Sequence, residues 1–140
     1  MTAEHRSVRT GFLRSAERFA DRPALELDGR VLTYRQLRDQ AASLAVALDS
    51  QAPADEPALT AVFGHRSVAA YAGVLGALLR GHGYVPLNPA FPTDRTRAML
   101  VRSGCRSLIV DSHGARQLEE VLDGVDVPLV LLMAEHDDVS

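Results

Sequence analysis

The sequence predicts an α/β fold: a mainly parallel sheet with flanking helices in the order βαβαβαβ, preceded by a helix, a short β-hairpin and a second helix. Three observations predict it. After residue 58, short wholly apolar runs alternate with longer stretches of helical periodicity, as expected for strands buried on both faces of a parallel sheet. Before residue 34, a glycine-centred turn joins two short extended runs. Serine, threonine and glycine stand where several of the helices should begin and end.

Val8, Phe12, Ala16 and Phe19 recur at helical spacing, and Asp21, Arg22 and Pro23 end the pattern, so the first helix is expected from about Val8 to Ala20. Ala24 to Leu27 and Val31 to Thr33 form the hairpin, with Gly29 free to take the positive φ of a tight turn. Thr33 and Gln36 fit a capping box, followed by Tyr34, Leu37, Ala41, Leu44 and Leu48 on one helical face. Ser50 to Pro57 reads as a linker between an N-terminal appendage and the main fold.

Leu59 to Phe63 is the first parallel strand, and Ser67 caps a helix running to about Arg80. On that helix Val68, Tyr71, Ala72, Leu75, Leu78 and Leu79 form a bulky side, and Ala69, Gly73, Gly76 and Ala77 a small one. Each mid-helix glycine costs about 1 kcal/mol relative to alanine, so close approach of another backbone is expected there, with burial on both sides. Gly81 and Gly83 lead into a strand from Tyr84 to Leu87, and Pro86, Pro89 and Pro92 hold an extended loop. Thr93 is expected to cap the next helix, with Asp94 in its first turn, Arg102 in its last and Gly104 as its left-handed stop. Leu108 to Val110 is the third strand. Ser112 opens a helix that turns Ala115, Leu118, Val121 and Leu122 inward and closes at Gly124, and Pro128 to Met133 is the fourth strand.

Composition removes several functions. All 15 basic residues are arginine, against 18 acidic residues, for a formal net charge of -3. No broad basic field for nucleic acid or an anionic membrane exists. Without lysine, a Walker-type phosphate loop and a Schiff base are excluded from these residues. A single cysteine makes neither a disulfide framework nor a zinc site, and suits a reducing, cytoplasmic location. The apolar run from Val68 to Leu79 is far short of the roughly 20 residues that cross a bilayer. Met1 to Arg9 has no apolar segment after its charges, so no secretory signal is expected.

The turn Gly64-His65-Arg66-Ser67 lies where open α/β sheets bind ligands, and Arg66 with free amides could hold an anion. The glycine-rich fingerprint is absent, so a plain capped turn is favoured. Asp111 after the third strand could meet a ribose or serve a receiver domain, but neither partner set is present; an entry to the next helix is simpler. The histidines at 5, 65, 82, 113 and 136 lack metal-ligand spacing. Cys105 reads as a buried inert thiol, and no G-x-S-x-G elbow presents a serine. Glu119 with Glu120, and Asp137 with Asp138, are adjacent carboxylates that point apart on a helix or sit in a tail.

Two segments carry a resemblance. Leu32-Thr33-Tyr34-Arg35-Gln36-Leu37 resembles the first core motif of amino-acid adenylation domains, the activating modules of nonribosomal peptide synthetases within the acyl-adenylate-forming ligases. The run Leu78-Leu79-Arg80-Gly81-His82-Gly83-Tyr84-Val85-Pro86-Leu87-Asn88-Pro89-Ala90-Phe91-Pro92 resembles the second, in which a helix ends at glycine, a Tyr-Val-Pro strand follows and a proline-bounded loop leads on. The resemblance extends from about Phe12 to Met133. Asn88 stands where the family commonly has Asp, and His82 where a small residue is usual.

The resemblance implies a parent enzyme that joins a substrate carboxylate to the α-phosphate of Mg-ATP, releasing pyrophosphate, and passes the acyl group to a carrier protein's phosphopantetheine thiol. The family's phosphate loop, nucleotide motifs and amino-acid pocket come later than the segment matched here. The expectation is therefore a framework segment, inactive alone, with no catalytic, cofactor-binding or metal residue of its own. Residues 1–58 and 59–140 are expected to form one truncated N-terminal subdomain, partnered by the rest of the adenylation domain, a carrier protein and an amino-acid or carboxylate substrate. Its motif residues, Thr33, Tyr34, Leu37, Gly81, Gly83, Tyr84, Val85, Pro86, Pro89 and Pro92, then read as structural, and the helix face around Gly73 and Gly76 as a surface for the ATP-binding half. The alternative is a non-catalytic α/β binding or scaffold module that complements a separate catalytic half.

Overall fold

In the computed structural model the backbone is described for residues 3–27 and 29–134, and side chains within that span from residue 10 onward. The side chains of His5, His136, Asp137 and Asp138 lie outside these limits. Helix α1 (Ala3–Arg18) begins five residues before the expected Val8 and ends two before Ala20. Its inward face rests on Ala16, fully buried, and on Phe12, whose ring lies 6.2 Å from that of Tyr34. Strands β1 (Pro23–Leu27) and β2 (Arg30–Thr33) form the antiparallel hairpin, with Gly29 at φ 80°.

Helix α2 (Tyr34–Gln51) begins at the predicted capping box: the Gln36 amide donates to Thr33 Oγ1 (3.1 Å), and the Thr33 amide to Gln36 Oε1 (2.9 Å). These reciprocal bonds satisfy amides that the first turn leaves open. Leu37, Ala41, Ala45 and Leu48 form its buried face. The helix continues through Gln51, so the connector begins at Ala52.

The parallel sheet contains β3 (Leu59–Phe63), β4 (Gly83–Leu87), β5 (Ser107–Val110) and β6 (Val130–Met133), in spatial order β4-β3-β5-β6. Ala61 pairs with both Val85 and Leu108, which centres the sheet on β3. Ala61, Phe63, Leu108 and Val110 point to one face, where they meet Leu100 of α4 (Thr93–Ser103) and Val121 of α6 (Leu118–Leu122). On the other face Ile109 lies with Leu48 of α2 and Ala69 of α3 (Val68–Leu79). The alternation follows from the period of two in a strand, and both faces are covered, as a parallel sheet requires.

Helix α3 is held between the sheet and α2. A Cβ at Gly73 would lie 3.2 Å from side-chain carbons of Val62 and Ile109, and one at Gly76 would lie 3.1 Å from the Ala41 carbonyl. The close approach expected from the two glycines is therefore made by the chain's own β3, β5 and α2. This corrects the assignment of that face to a docking surface for the ATP-binding half. It also makes α2 the outer layer of the main fold instead of part of an appendage. Burial is incomplete, since Tyr71 on α3 is exposed.

Three local readings change. Pro92 occupies the position before α4 and Thr93 is the first helical residue, so Thr93 is not the cap; its hydroxyl donates to Glu120 instead (3.1 Å). The helix expected from Ser112 to Gly124 is two short ones, α5 (Ser112–Ala115) and α6, divided at Gln117. Gln117 is drawn out of a continuous helix, donating from Nε2 to the Pro89 carbonyl (2.6 Å). Strand β6 starts at Val130 instead of Pro128. Pro86 sits inside β4, which pairs only with β3 among the described strands, so its missing donor faces an open edge.

Replacing Gly73 with leucine is expected to cost about 1–3 kcal/mol through overpacking. Urea unfolding reads it, and an unshifted midpoint would contradict the close seating of α3 on the sheet.

Candidate functional site

The chain leaves β3 toward β4 on one side and returns past it to β5 on the other. The topological switch point therefore lies between the C-terminal ends of β3 and β5, where open α/β sheets place their ligands. Two turns line it: Gly64-His65-Arg66-Ser67 after β3, and Asp111-Ser112-His113-Gly114 after β5.

Asp111 is only 2% exposed and projects into this crevice. Its Oδ2 accepts from the His65 amide (3.0 Å) and the Ser67 hydroxyl (2.5 Å), and its Oδ1 from the Gly114 amide (2.9 Å). Ser67 Oγ in turn accepts from the Ala70 amide (3.0 Å) and caps α3. Asp111 is at once the N-cap of α5 and the pin between the two turns.

Both glycines are needed for this fit. A Cβ at Gly64 would come within 2.5 Å of Asp111 Oδ2, and one at Gly114 within 2.5 Å of the Phe63 carbonyl oxygen. Arg66 adopts φ 49°, a left-handed conformation that costs a non-glycine residue on the order of 1 kcal/mol. That turn brings its two neighbours to the same carboxylate oxygen. His65 and His113 remain exposed at the rim, their rings edge to face at 6.3 Å.

The chemistry of the crevice follows from its occupant. Amides that could cradle a phosphate already serve a fixed carboxylate, and an incoming anion would meet negative charge. The Gly64 to Ser67 turn is a capped turn, and Asp111 is its internal anion.

A second buried polar cluster lies at the opposite end of the sheet. The Arg80 side chain is 1% exposed. Its Nε donates to Asp49 Oδ1 (2.7 Å), its Nη2 to Glu56 Oε1 (2.6 Å) and its Nη1 to Thr60 Oγ1 (2.9 Å). Ser107 donates its hydroxyl to the other oxygen of Glu56. Thr60 Oγ1, which accepts from Arg80, also lies 2.9 Å from His82 Nδ1. Burial pushes the Cys105 thiol up, which keeps it protonated and unreactive.

The motif residues lie in two stretches. Thr33 caps α2, Tyr34 packs near Phe12 and Leu37 is buried. Gly81, at φ 79°, closes a Schellman turn at the end of α3: its amide donates to the Leu78 carbonyl (3.0 Å), and the His82 amide to that of Ala77 (2.9 Å). Gly83, Tyr84, Val85 and Pro86 lie in β4, Pro89 receives Gln117, and Pro92 precedes α4. Asn88 accepts the Ala90 amide (2.8 Å), a turn bond that aspartate could equally make. The bonds of Asp111 to the first turn, and of Arg80 to Glu56, join residues far apart in sequence. Their only local signal is a charge placed at the end of an apolar run.

Replacing Asp111 with alanine would orphan three donors and is expected to cost on the order of 3 kcal/mol. Replacing Arg80 with alanine would leave Glu56 buried without its cation, at a cost of about 3–5 kcal/mol. Chemical denaturation measures both, and a loss below about 1 kcal/mol in either variant would contradict the corresponding assignment.

A family model described as "AMP-binding enzyme" matches residues 12–140. Phenyloxazoline synthase MbtB of Mycolicibacterium paratuberculosis is 38% identical over 126 residues, which is 90% of this chain and 11% of that protein. The crystal structure of IdnL7 superposes with a TM-score of 0.80 at 35% identity, over 93% of this chain and 25% of that one. The Vibrio cholerae adenylation domain AlmE, solved in complex with glycyl-adenosine-5'-phosphate, gives a TM-score of 0.78 at 25% identity, over 95% of this chain and 24% of that one. The chain thus spans about a tenth of the synthase and about a quarter of each solved chain.

Proposed function

The chain belongs to the AMP-binding enzyme family, and from that premise we propose that it supplies the N-terminal framework of an ATP-dependent ligase that adenylates an amino acid or related carboxylate. In the complete enzyme the carboxylate oxygen displaces pyrophosphate from the α-phosphate of ATP. A carrier protein's phosphopantetheine thiol then takes the acyl group and AMP leaves.

The observation that carries the framework role is Asp111. The switch-point crevice does not fit a nucleotide phosphate, because it is filled by a hydrogen-bonded carboxylate. We assign ATP and Mg to the remainder of the adenylation domain, and a framework role to this segment. Residues 1–58 and 59–140 act together as one subdomain. Thr33, Tyr34, Leu37, Gly81, Gly83, Tyr84, Val85, Pro86, Pro89 and Pro92 serve as caps, core contacts and backbone turns. Strand β6 supports the reading, because it forms an edge among the described strands and leaves Leu131 and Met133 exposed. That apolar edge is assigned to the remainder of the domain. No described helix is long and apolar enough to cross a membrane, and we assign the protein to the cytoplasm.

Amino-acid-dependent exchange of labelled pyrophosphate into ATP tests the proposal. The chain joined to the rest of its adenylation domain is expected to exchange with at least one amino acid or related acid, and the 140-residue chain with none. Exchange by the short chain would overturn the framework role. Silence of the joined protein across all amino acids and related carboxylates would overturn the ligase.

A further inference from the structure

The arginines of this chain are unevenly placed. Eight of the 15 arginines, but only five of the 18 acidic residues, fall in residues 1–38, so a basic segment sits in a chain whose net charge is -3. In the fold, part of that segment lines two concavities beside the C-terminal half of α1. One, about 640 Å³, is bounded by Arg14 of α1, Arg38 of α2 and the apolar side chains of Leu13 and Leu79. The other, about 560 Å³, is bounded by Arg18, Phe19, Arg22 and Arg35. Glu17 lines both, so the two adjoin as one groove.

The groove carries positive charge that the described residues do not neutralise. Arg35 pairs with Asp21 (2.9 Å) and Arg38 with Asp39 (3.1 Å). Arg14, Arg18 and Arg22 are exposed and make no ion pair with any described carboxylate. Arg18 and Arg22 instead share the Phe19 ring, at 5.3 and 5.1 Å from its centroid. That keeps two cations within about one Debye length of each other, ~10 Å at 0.1 M salt. Spaced four apart, Arg14 and Arg18 also repel along one helix face. The helix dipole favours Arg18 in the last turn, but gives no reason for Arg14 or Arg22.

We propose that this groove is a docking surface for an acidic segment of a partner protein, which brings carboxylates to Arg14, Arg18 and Arg22 and an apolar side chain to Leu13. Arginine suits this task because its planar fork donates two parallel bonds to one carboxylate. Phe19 holds two such forks at the rim. Leu13, 38% exposed, offers the apolar contact beside Arg14.

The mixture of charges selects the class of partner. Glu17 and Asp21 stand among the arginines, and a dense row of phosphates, on a nucleic acid or an anionic membrane, would meet them with like charge. A peptide spaces its carboxylates and can bring hydroxyls or amides to the two acids. Because the cations are exposed, their attraction is screened by salt, whereas the contact with Leu13 is not. The surface is independent of the ligase reading, since no residue in it is assigned a part in adenylation.

The experiment is fluorescence anisotropy of a labelled peptide of glutamate, alanine and leucine, about 15 residues long so that it can form a helix, titrated with the whole chain at low salt. Saturable binding is expected, weakening as salt is added. The variant Arg14→Gln/Arg18→Gln/Arg22→Gln is expected to bind roughly tenfold more weakly, as three exposed ion pairs would give. A control of equal net charge, Arg95→Gln/Arg102→Gln/Arg116→Gln, alters exposed arginines elsewhere and is expected to bind as the unaltered chain does. No saturable binding, equal loss in the two variants, or equal binding of a peptide with glutamine in place of glutamate would overturn the docking surface. Tighter binding of a DNA duplex or of phosphatidylserine vesicles would overturn the protein partner. Should a variant not fold, amide resonances of the unaltered chain decide: saturable shifts confined to residues 10–22 and 35–38 on adding the peptide support the surface, and shifts elsewhere or none refute it.

Discussion

The buried guanidinium of Arg80 is the constraint on which the rest of the structure depends. A charge removed from water costs several kcal/mol unless its hydrogen bonds are replaced, and Arg80 recovers them from three parts of the chain. Asp49 comes from the end of α2, Glu56 from the connector and Thr60 from the first parallel strand. Each partner must arrive with its oxygen in place, so the path from α2 into β3 is held by electrostatics as well as by packing. Ser107 extends the same cluster to β5 through Glu56, and thereby reaches both central strands.

Asp111 solves the converse problem at the other end of the sheet. Here the buried charge is negative, and two amides and a hydroxyl surround it. The turns after β3 and β5 are drawn together across the switch point, with Gly64 leaving the room that the carboxylate needs and Gly114 the room that the Phe63 carbonyl needs. Between these two ends the sheet is apolar on both faces, and α3 lies close enough that its glycines are required. The segment is therefore secured at its top, its base and its helical layer, as the proposed framework role requires. The crevice that the topology would offer to a ligand has been used to hold the framework together.

What could be read from the sequence was what neighbouring residues decide. The capping box of Thr33 and Gln36, the hairpin turn at Gly29, the left-handed stop at Gly104 and the apolar strand from Leu59 to Phe63 all depend on groups a few positions apart. The two glycines of α3 announced a close approach, but not its partner, because a small residue carries no record of what lies beside it. Distance also defeated the reading of Thr93 and Gln117. Thr93 had every local mark of a cap, and Gln117 lay in an unbroken helical pattern, but Glu120 and the Pro89 carbonyl claimed their side chains. Asp111 was legible as a helix entry, whereas its bonds to His65 and Ser67 span more than 40 positions. The family motifs were readable as a pattern; the roles of Arg80 and His82 inside the second one required the fold.

The central claim is that the switch-point crevice is closed to nucleotide by the chain's own carboxylate. Titrating Mg-ATP into the isotopically labelled chain, while following the backbone amides of His65, Ser67 and Gly114 by NMR, tests it most directly. No saturable movement of these three resonances is predicted up to millimolar nucleotide. Saturable shifts at His65 and Gly114 would show that phosphate competes with Asp111 for their amides, and would contradict the claim.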